Sequence, residues 1–210
     1  LSAPALAAST DALLQQSTSA KSAVSVLDMQ NDISESVTTM NLRNGSIIVS
    51  VENGQQYAEQ KNIKQQISDL VVTTNNDETT NTLTIRGGDS TAAKVTLSNV
   101  NIDAPSAAVS VSGNVELVIT GTNTLRSGTD RAGLEKADDN GTLTIDGTGK
   151  LYAYGGDCAA GIGSSYNNNV RNIVINGGTI TAECTGMLGA GIGGGQAGKA
   201  ENGKAENIRI

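Results

Sequence analysis

The chain has 210 residues, a net charge of −7, four Tyr and no Trp, Phe or His. Its Lys and Arg residues are scattered, which argues against nucleic acid as a partner because that requires a basic stripe, often with stacking aromatics. No run approaches the roughly 20 apolar residues of a membrane-spanning helix. The apolar content is Ala, Val, Ile and Leu, which suits narrow, regularly stacked layers better than a globular core built on aromatic rings.

The first eight residues, LSAPALAA, end in a small-x-small pattern at Ala5-Leu6-Ala7, which is typical of a signal-peptidase site. We interpret residues 1–8 as the end of a secretory signal, with a disordered Ala/Ser linker as the alternative. This interpretation predicts a protein that is secreted or displayed on a bacterial cell surface.

Residues 9–40 contain no Gly or Pro, and Leu13, Leu14, Val24 and Leu27 recur at loosely helical spacings. The pattern predicts one or two amphipathic helices. An open solenoid end exposes apolar surface and unpaired backbone, so a helical N-terminal cap is the expected role. Packing on a partner subunit, as in end-to-end self-association, is the alternative.

From about Met40 the hydrophobic period changes to two. A buried strand is predicted at Ser46–Val51, and further strands are predicted at Leu70–Thr74 and Thr82–Ile85. The polar, irregular stretch Gln55–Asp69 predicts a loop with a short strand or helix.

Two stretches are copies of one another at an offset of 30 residues: LTIDGTGKLYAYGGDCAAGIG at Leu143–Gly163 and IVINGGTITAECTGMLGAGIG at Ile173–Gly193. Each contains three short strands, and the same pattern extends over the chain after Ala93. First strands are predicted at Val95–Leu97, Leu117–Ile119, Leu143–Ile145, Ile173–Ile175 and Ile208–Ile210. Second strands are predicted at Val100–Ile102, Asn123–Leu125, Lys150–Ala153 and Thr179–Ala182. Third strands are predicted at Ala108–Val111, Ala132–Leu134, Ala160–Ile162 and Ala190–Ile192. From the first strands, successive coils have 22, 26, 30 and 35 residues.

Such a unit cannot bury its apolar side chains alone and must stack on its neighbours. The sequence therefore predicts an all-β, parallel β-helix over residues 41–210 with three strands per coil. The crossover rule for parallel strands makes it right-handed. A propeller would need paired hairpins, and nothing in the pattern indicates them. Because residues 208–210 open a new coil, we expect further coils beyond residue 210.

One candidate ligand patch follows from the alternation on the second strands. Tyr152 and Tyr154 are two residues apart and project to one face together with Lys150. The aligned coil places Glu183 beside them. A patch of two rings, a cation and a carboxylate suits a sugar ligand, whereas exposed Tyr that stabilise the sheet through cross-strand pairs are the alternative.

Calcium and a disulfide are two further hypotheses. Asp138, Asp139 and Asp157 lie in Asp/Asn/Gly turns whose oxygens are suitable calcium ligands, with ordinary turn chemistry as the alternative. Cys158 and Cys184 lie in adjacent coils and either form a bridge or remain buried free thiols. Without His or a CxxC motif, zinc is not expected.

Enzymatic activity is not expected. Glycan hydrolysis needs two carboxylates at a set separation, and Asp146 has the counterparts Thr120 and Asn176 in neighbouring coils rather than acids. No basic residue is flanked by clustered carboxylates, as lyase chemistry requires. The acids considered as outward or turn residues are Asp130, Glu135, Asp138, Asp139, Asp146, Asp157 and Glu183.

The segments NTLTIRGG, VTLSNVNI, ELVITGTNTLRSG, AGLEKADDNGTLTIDGTGKL and the two AGIG units resemble carbohydrate-binding-type β-helix domains of clostridial and other gut-bacterial surface proteins. The resemblance covers roughly residues 41–210. It implies an exported surface protein with plant polysaccharides such as cellulose or pectin as ligands and calcium in some members. No ligand-contact residue of that family can be matched here.

Together these observations predict a non-catalytic adhesin or polysaccharide-binding module for a plant or host glycan. A structural subunit of an extracellular fibre or surface layer is the alternative, and a polysaccharide lyase or hydrolase comes third.

Overall fold

A computed structural model of the chain describes residues 37–138, 140–197 and 203–210. The predicted signal segment and nearly all of the predicted helical cap lie outside the described residues. Residues 38–40, which the sequence analysis assigned to the helical segment, belong to a strand.

The described part of the chain consists of strands and one short 3-10 helix, Leu42–Asn44. The strands are β1 Thr38–Asn41, β2 Ile47–Glu52, β3 Gln55–Gln60, β4 Ile63–Gln66, β5 Leu70–Thr73, β6 Glu78–Thr79, β7 Leu83–Arg86, β8 Ala93–Ser98, β9 Asn101–Ala104, β10 Val109–Ser112, β11 Val115–Thr120, β12 Thr122–Ser127, β13 Leu134–Lys136, β14 Leu143–Gly147, β15 Lys150–Gly155, β16 Ile162–Gly163, β17 Val170–Ile175, β18 Thr179–Cys184, β19 Ile192–Gly193 and β20 Ala205–Arg209.

These strands stack into three sheets that the chain visits in turn. Sheet 1 has the order β1-β5-β8-β11-β14-β17-β20, sheet 2 has β18-β15-β12-β9-β6, and sheet 3 has β19-β16-β13-β10-β7-β2-β3-β4. All pairings are parallel except those of β3 with β2 and β4. This is the predicted parallel β-helix with three strands per coil. We call the bends after the strands of sheets 1, 2 and 3 the first, second and third corners.

Alternation along each strand builds the core. In β14, Leu143 and Ile145 are fully buried while Thr144 between them is half-buried on the outer side. Ile145 lies between Leu117 of the preceding coil and Ile175 of the following one. Aliphatic side chains thus form continuous stacks, which explains why the chain needs so few aromatic residues.

The coil lengths correct one part of the predicted register. Val115 pairs with Leu143 and Leu117 with Ile145, so this coil has 28 residues instead of the predicted 26. The difference arises because β11 begins at Val115, two residues before the apolar run that was used to align the coils. The other three predicted spacings, 22, 30 and 35 residues, agree with the pairing of the first strands.

The third strands begin one or two residues later than predicted. The Ala-Gly pairs before β13 and β16 instead pass directly against sheet 2. A Cβ on Gly133 would overlap the backbone of Tyr154, and one on Gly161 would overlap that of Glu183. The glycines let the segments that lead into sheet 3 approach the backbone of sheet 2 closely, which narrows the cross-section of the β-helix at the second corner.

The stretch Gln55–Asp69, predicted as a loop with a short strand or helix, contains more regular structure than expected. Residues 55–66 contain two antiparallel strands, β3 and β4, which extend sheet 3 beyond β2. Both hairpin turns have consecutive residues with positive φ: Asn53-Gly54 and Lys61-Asn62. The buried Gln56 amide ties the meander to sheet 1, because it donates to the Lys94 carbonyl (3.0 Å) and accepts from the Lys94 N–H (2.6 Å).

Candidate functional site

The outer face of sheet 2 carries the predicted ligand patch. On β15, Leu151 and Ala153 are fully buried, while Tyr152 and Tyr154 are half-buried on the outer side and Lys150 is exposed. Tyr154 pairs in register with Glu183 of β18. The structure therefore brings the four predicted residues onto one face, although their role in binding stays a prediction.

Sequence reasoning missed Arg126, which belongs to the same face. Arg126 of β12 is in register with Tyr154, and its guanidinium carbon lies 4.5 Å from the centroid of the Tyr154 ring. At this distance the guanidinium is attracted to the electron-rich face of the ring. Arg126 could have been found from the sequence only with the correct coil length of 28 residues, because that spacing places Arg126 opposite Tyr154.

We call the outer surface of sheet 2 around Tyr152 and Tyr154 the tyrosine face. It comprises Lys150 and two rows of side chains that run across the coils, one through Tyr152 and one through Tyr154. The first row is Asn101, Thr124, Tyr152 and Thr181, and the second is Asp103, Arg126, Tyr154 and Glu183. Neighbouring strands lie about 4.8 Å apart, so every coil presents a hydrogen-bonding or aromatic group at short, regular intervals.

Two charged residues of β13 are buried, and for one of them, Glu135, the sequence analysis expected an outward or turn position. Glu135 and Lys136 are each 2% exposed. Glu135 is covered by Arg131, whose Nη2 lies 2.6 Å from Glu135 Oε1, and its other carboxylate oxygen accepts the Ala132 N–H at 3.4 Å. Burial raises the pKa of Glu135, and the opposing effects of Arg131 and the Ala132 N–H are smaller.

The calcium hypothesis is weakened at Asp138. One carboxylate oxygen of Asp138 lies 2.9 Å from the Lys136 ammonium, and the other accepts the Gly113 N–H at 2.9 Å. Asp157 lies at the second corner whereas Asp138 lies at the third, so the structure does not bring them together. Asp139 lies outside the described residues. Among those that the structure describes, no group of three or more His, Cys, Asp or Glu side chains could hold a metal.

The two cysteines are free and half-buried. The Cys184 thiol donates to the Asp157 carbonyl (3.4 Å) and accepts the Gly189 N–H (3.3 Å). Desolvation raises the pKa of Cys158, and the negative charges of Asp130 and Asp157 raise it further. A raised pKa keeps Cys158 as the thiol, the form that is poor both as a nucleophile and as a metal ligand.

The remaining candidate acid, Asp146, has a different neighbour from the one predicted. The corrected register places it opposite Val118 rather than Thr120. Its Oδ1 accepts the N–H of Gly147, which explains it as a turn residue at the first corner. As expected from the sequence, it has no acidic residue opposite it in the described part of the preceding coil.

A comparison with protein families agrees with this geometry. A family model described as a beta helix repeat matches residues 143–166 and 173–196, which are the two coils that begin at β14 and β17. The chain carries a parallel β-helix domain. No curated protein and no solved structure gives a significant match to this β-helix chain. No helix among the described residues has the length and apolar character that crossing a bilayer requires.

Proposed function

We propose that this β-helix protein is an exported, non-catalytic adhesin or polysaccharide-binding module that holds a plant or host glycan on its tyrosine face. One observation carries the proposal: Tyr152 and Tyr154 project side by side from sheet 2, with Arg126 stacked on Tyr154 and Glu183 opposite it. Aromatic rings offer a sugar an apolar surface, and the flanking charged groups supply hydrogen bonds to its hydroxyls.

The shape of the tyrosine face supports a polymer as the ligand. Small-molecule sites are generally concave and enclose most of their ligand. Tyr152 and Tyr154 instead stand on the outer side of a parallel sheet whose rows continue over four coils. An extended saccharide chain can follow such a row and collect weak contacts from each coil.

The environments of the candidate acids support a role without catalysis. Glu135 and Asp138 are held in ion pairs with Arg131 and Lys136. Asp146 is explained by a turn hydrogen bond. General acid–base catalysis would require two of these carboxyl groups to face one substrate position.

The test is a pull-down of the purified 210-residue chain on a panel of insoluble polysaccharides, with and without calcium, followed by binding isotherms. We expect saturable binding to one polysaccharide class and a loss of roughly tenfold or more in affinity for the Tyr152→Ala/Tyr154→Ala variant. Tyr166→Ala is the matched control, because Tyr166 is exposed but lies at the third corner. The control should bind like the wild type.

Three outcomes would redirect or contradict the proposal. Unchanged affinity of the Tyr152→Ala/Tyr154→Ala variant would place the ligand elsewhere on the β-helix. Absence of binding to every polysaccharide would favour end-to-end self-association into a fibre or surface layer, which electron microscopy of the native assembly would reveal. Release of reducing or unsaturated sugar ends would contradict a non-catalytic role.

A further inference from the structure

Lys136 occupies an inward position in an otherwise aliphatic stack. Along sheet 3, Val49, Ile85 and Val111 are buried in register in three successive coils, and Lys136 follows Val111. Its side chain has no exposed surface. A buried ammonium group is costly unless each of its donors is satisfied, so its surroundings should explain why it is tolerated.

Three oxygen atoms converge on the Lys136 ammonium. Nζ donates to the Asp138 backbone carbonyl at 2.9 Å, to Asp138 Oδ1 at 2.9 Å and to the Asn140 carbonyl at 2.7 Å. An ammonium group has three donors, and all three are used. Carboxylate and backbone carbonyl oxygens are also the types of ligand that calcium uses, although its usual six to eight ligands would require water molecules in addition to these three.

The same turn is tied to the preceding coil. Asp138 Oδ2 accepts the Gly113 N–H, so one carboxylate links the ammonium to the backbone of the coil before it. A cavity of about 200 Å³ lies beside this network and is lined in part by Lys136, Asp138 and Ser165.

We infer that the third corner after β13 is a cation-binding turn whose resident cation is the Lys136 ammonium. The tethered amine does at this corner what a bound hard cation does elsewhere, since it neutralises Asp138 and holds the two carbonyls together. Two consequences follow. The wild-type corner needs no metal, and removal of the amine leaves a vacant site of one carboxylate and two carbonyl oxygens that accepts a calcium ion.

The test compares the wild type with Lys136→Ala, which vacates the site, and Lys136→Met, which fills it with an uncharged chain. Breaking the buried pair should lower the unfolding temperature of Lys136→Ala by roughly 6 to 20 °C. Millimolar calcium chloride should restore most of this loss in Lys136→Ala but not in Lys136→Met. Terbium luminescence titration should show a saturable site in Lys136→Ala that is absent in the wild type and in Lys136→Ala/Asp138→Asn.

The inference is overturned if Lys136→Ala gains no terbium site, or if calcium raises the unfolding temperature of all variants equally. A second measurement covers the case in which Lys136→Ala does not fold. In the 15N-labelled wild-type chain, one lysine ammonium resonance should exchange slowly with water at neutral pH and be missing from Lys136→Met. If every lysine ammonium exchanges rapidly, Lys136 is not the resident cation.

Discussion

At the scale of single residues, Glu135 is a buried acid whose pKa is raised by desolvation. Its side chain is 3% exposed, and its ion-pair partner Arg131 is 43% exposed. The ion pair therefore compensates only partly for the loss of water, and the pKa of Glu135 lies above its ordinary value of 4.5.

This shift has a definite sign for stability. A carboxyl group whose pKa is raised by folding favours the folded state most when protonated, and this contribution is lost as the pH rises through the folded-state pKa. We therefore expect the unfolding free energy of the wild type, minus that of Glu135→Gln, to decrease as the pH rises from about 4 towards 8, because Gln cannot titrate. Urea unfolding at a series of pH values measures this difference. If the wild type instead gains stability relative to Glu135→Gln as the pH rises, the ion pair with Arg131 outweighs the desolvation of Glu135.

Arg126 provides a second test at this scale, which rests on the proposed function. In the proposed function the exposed Arg126 guanidinium donates a hydrogen bond to the glycan, and such a bond contributes about 1 kcal/mol net, so Arg126→Ala should weaken polysaccharide binding about fivefold. The Arg126 side chain is exposed, and its cation–π contact with Tyr154 contributes on the order of 1 kcal/mol, so the unfolding temperature should fall by only about 2 to 4 °C. Binding isotherms measure the first effect and thermal unfolding the second. Equal affinity of Arg126→Ala and wild type would show that the guanidinium only covers the Tyr154 ring.

At the scale of elements, the repeated Ala-Gly-Ile-Gly units show how backbone geometry fixes a strand end. β16 and β19 pair in register, and Gly163 and Gly193 close them with φ values of 142° and 137°. A Cβ on Gly163 would overlap the carbonyl oxygen of Gly193. Glycine is thus required at this position by both its φ and the neighbouring coil.

A matched pair of variants separates these two requirements. Gly45 has nearly the same φ, 139°, but a Cβ there would meet nothing closer than 3.6 Å. Gly45→Ala should cost about 1 kcal/mol from backbone strain, whereas Gly163→Ala should cost about 2 to 4 kcal/mol because the coils must also move apart. Denaturant unfolding of both variants gives the comparison. Equal losses would show that strain alone explains the glycine at residue 163.

The same elements show which parts of the fold the sequence could predict. Strands β14 and β15 alternate cleanly between buried aliphatic and outward-facing residues, and residues 173–175 of β17 repeat residues 143–145 of β14 at an offset of 30, so their faces and partners follow from the pattern. Strands β3 and β4 are rich in Gln, Glu and Lys, and only Gln56 and Ala58 are buried, so no apolar period marks them.

Burial of charge was the least predictable feature of the candidate sites. Lys136 breaks the rule that inward positions are apolar, and it is tolerated only because Asp138 and Asn140 supply its acceptors. These partners lie two and four residues further along the chain, so a local signal existed. To recognise this signal, one would have to know that the Lys136 side chain points inward, and this direction depends on where β13 begins and ends.

At the scale of the whole molecule, each coil of the β-helix packs only on its neighbours, so stability is distributed along the axis. Leu151 and Ala153 in β15 and Ile162 in β16 have no exposed surface. Their counterparts in the following coil, Ile180, Ala182 and Ile192, are only half-buried. In the described part of the chain β18 and β19 are the edge strands of sheets 2 and 3, so within these residues their coil loses less buried apolar area when it opens than the coil before it.

Hydrogen exchange of the 210-residue chain tests this gradient. Local opening free energy follows buried apolar contact, so the amides of β18 and β19 should exchange on the order of tenfold or more faster than those of β15 and β16. Peptide-resolved mass spectrometry distinguishes the two coils, because the strands are separated by corner segments. Equal protection in both coils would mean that the β-helix opens as one cooperative unit and that nearest-neighbour packing does not set its local stability.

If a polysaccharide binds the tyrosine face, it should also slow exchange in β15 and β18 together, since Tyr154 and Glu183 lie in paired strands of the two coils.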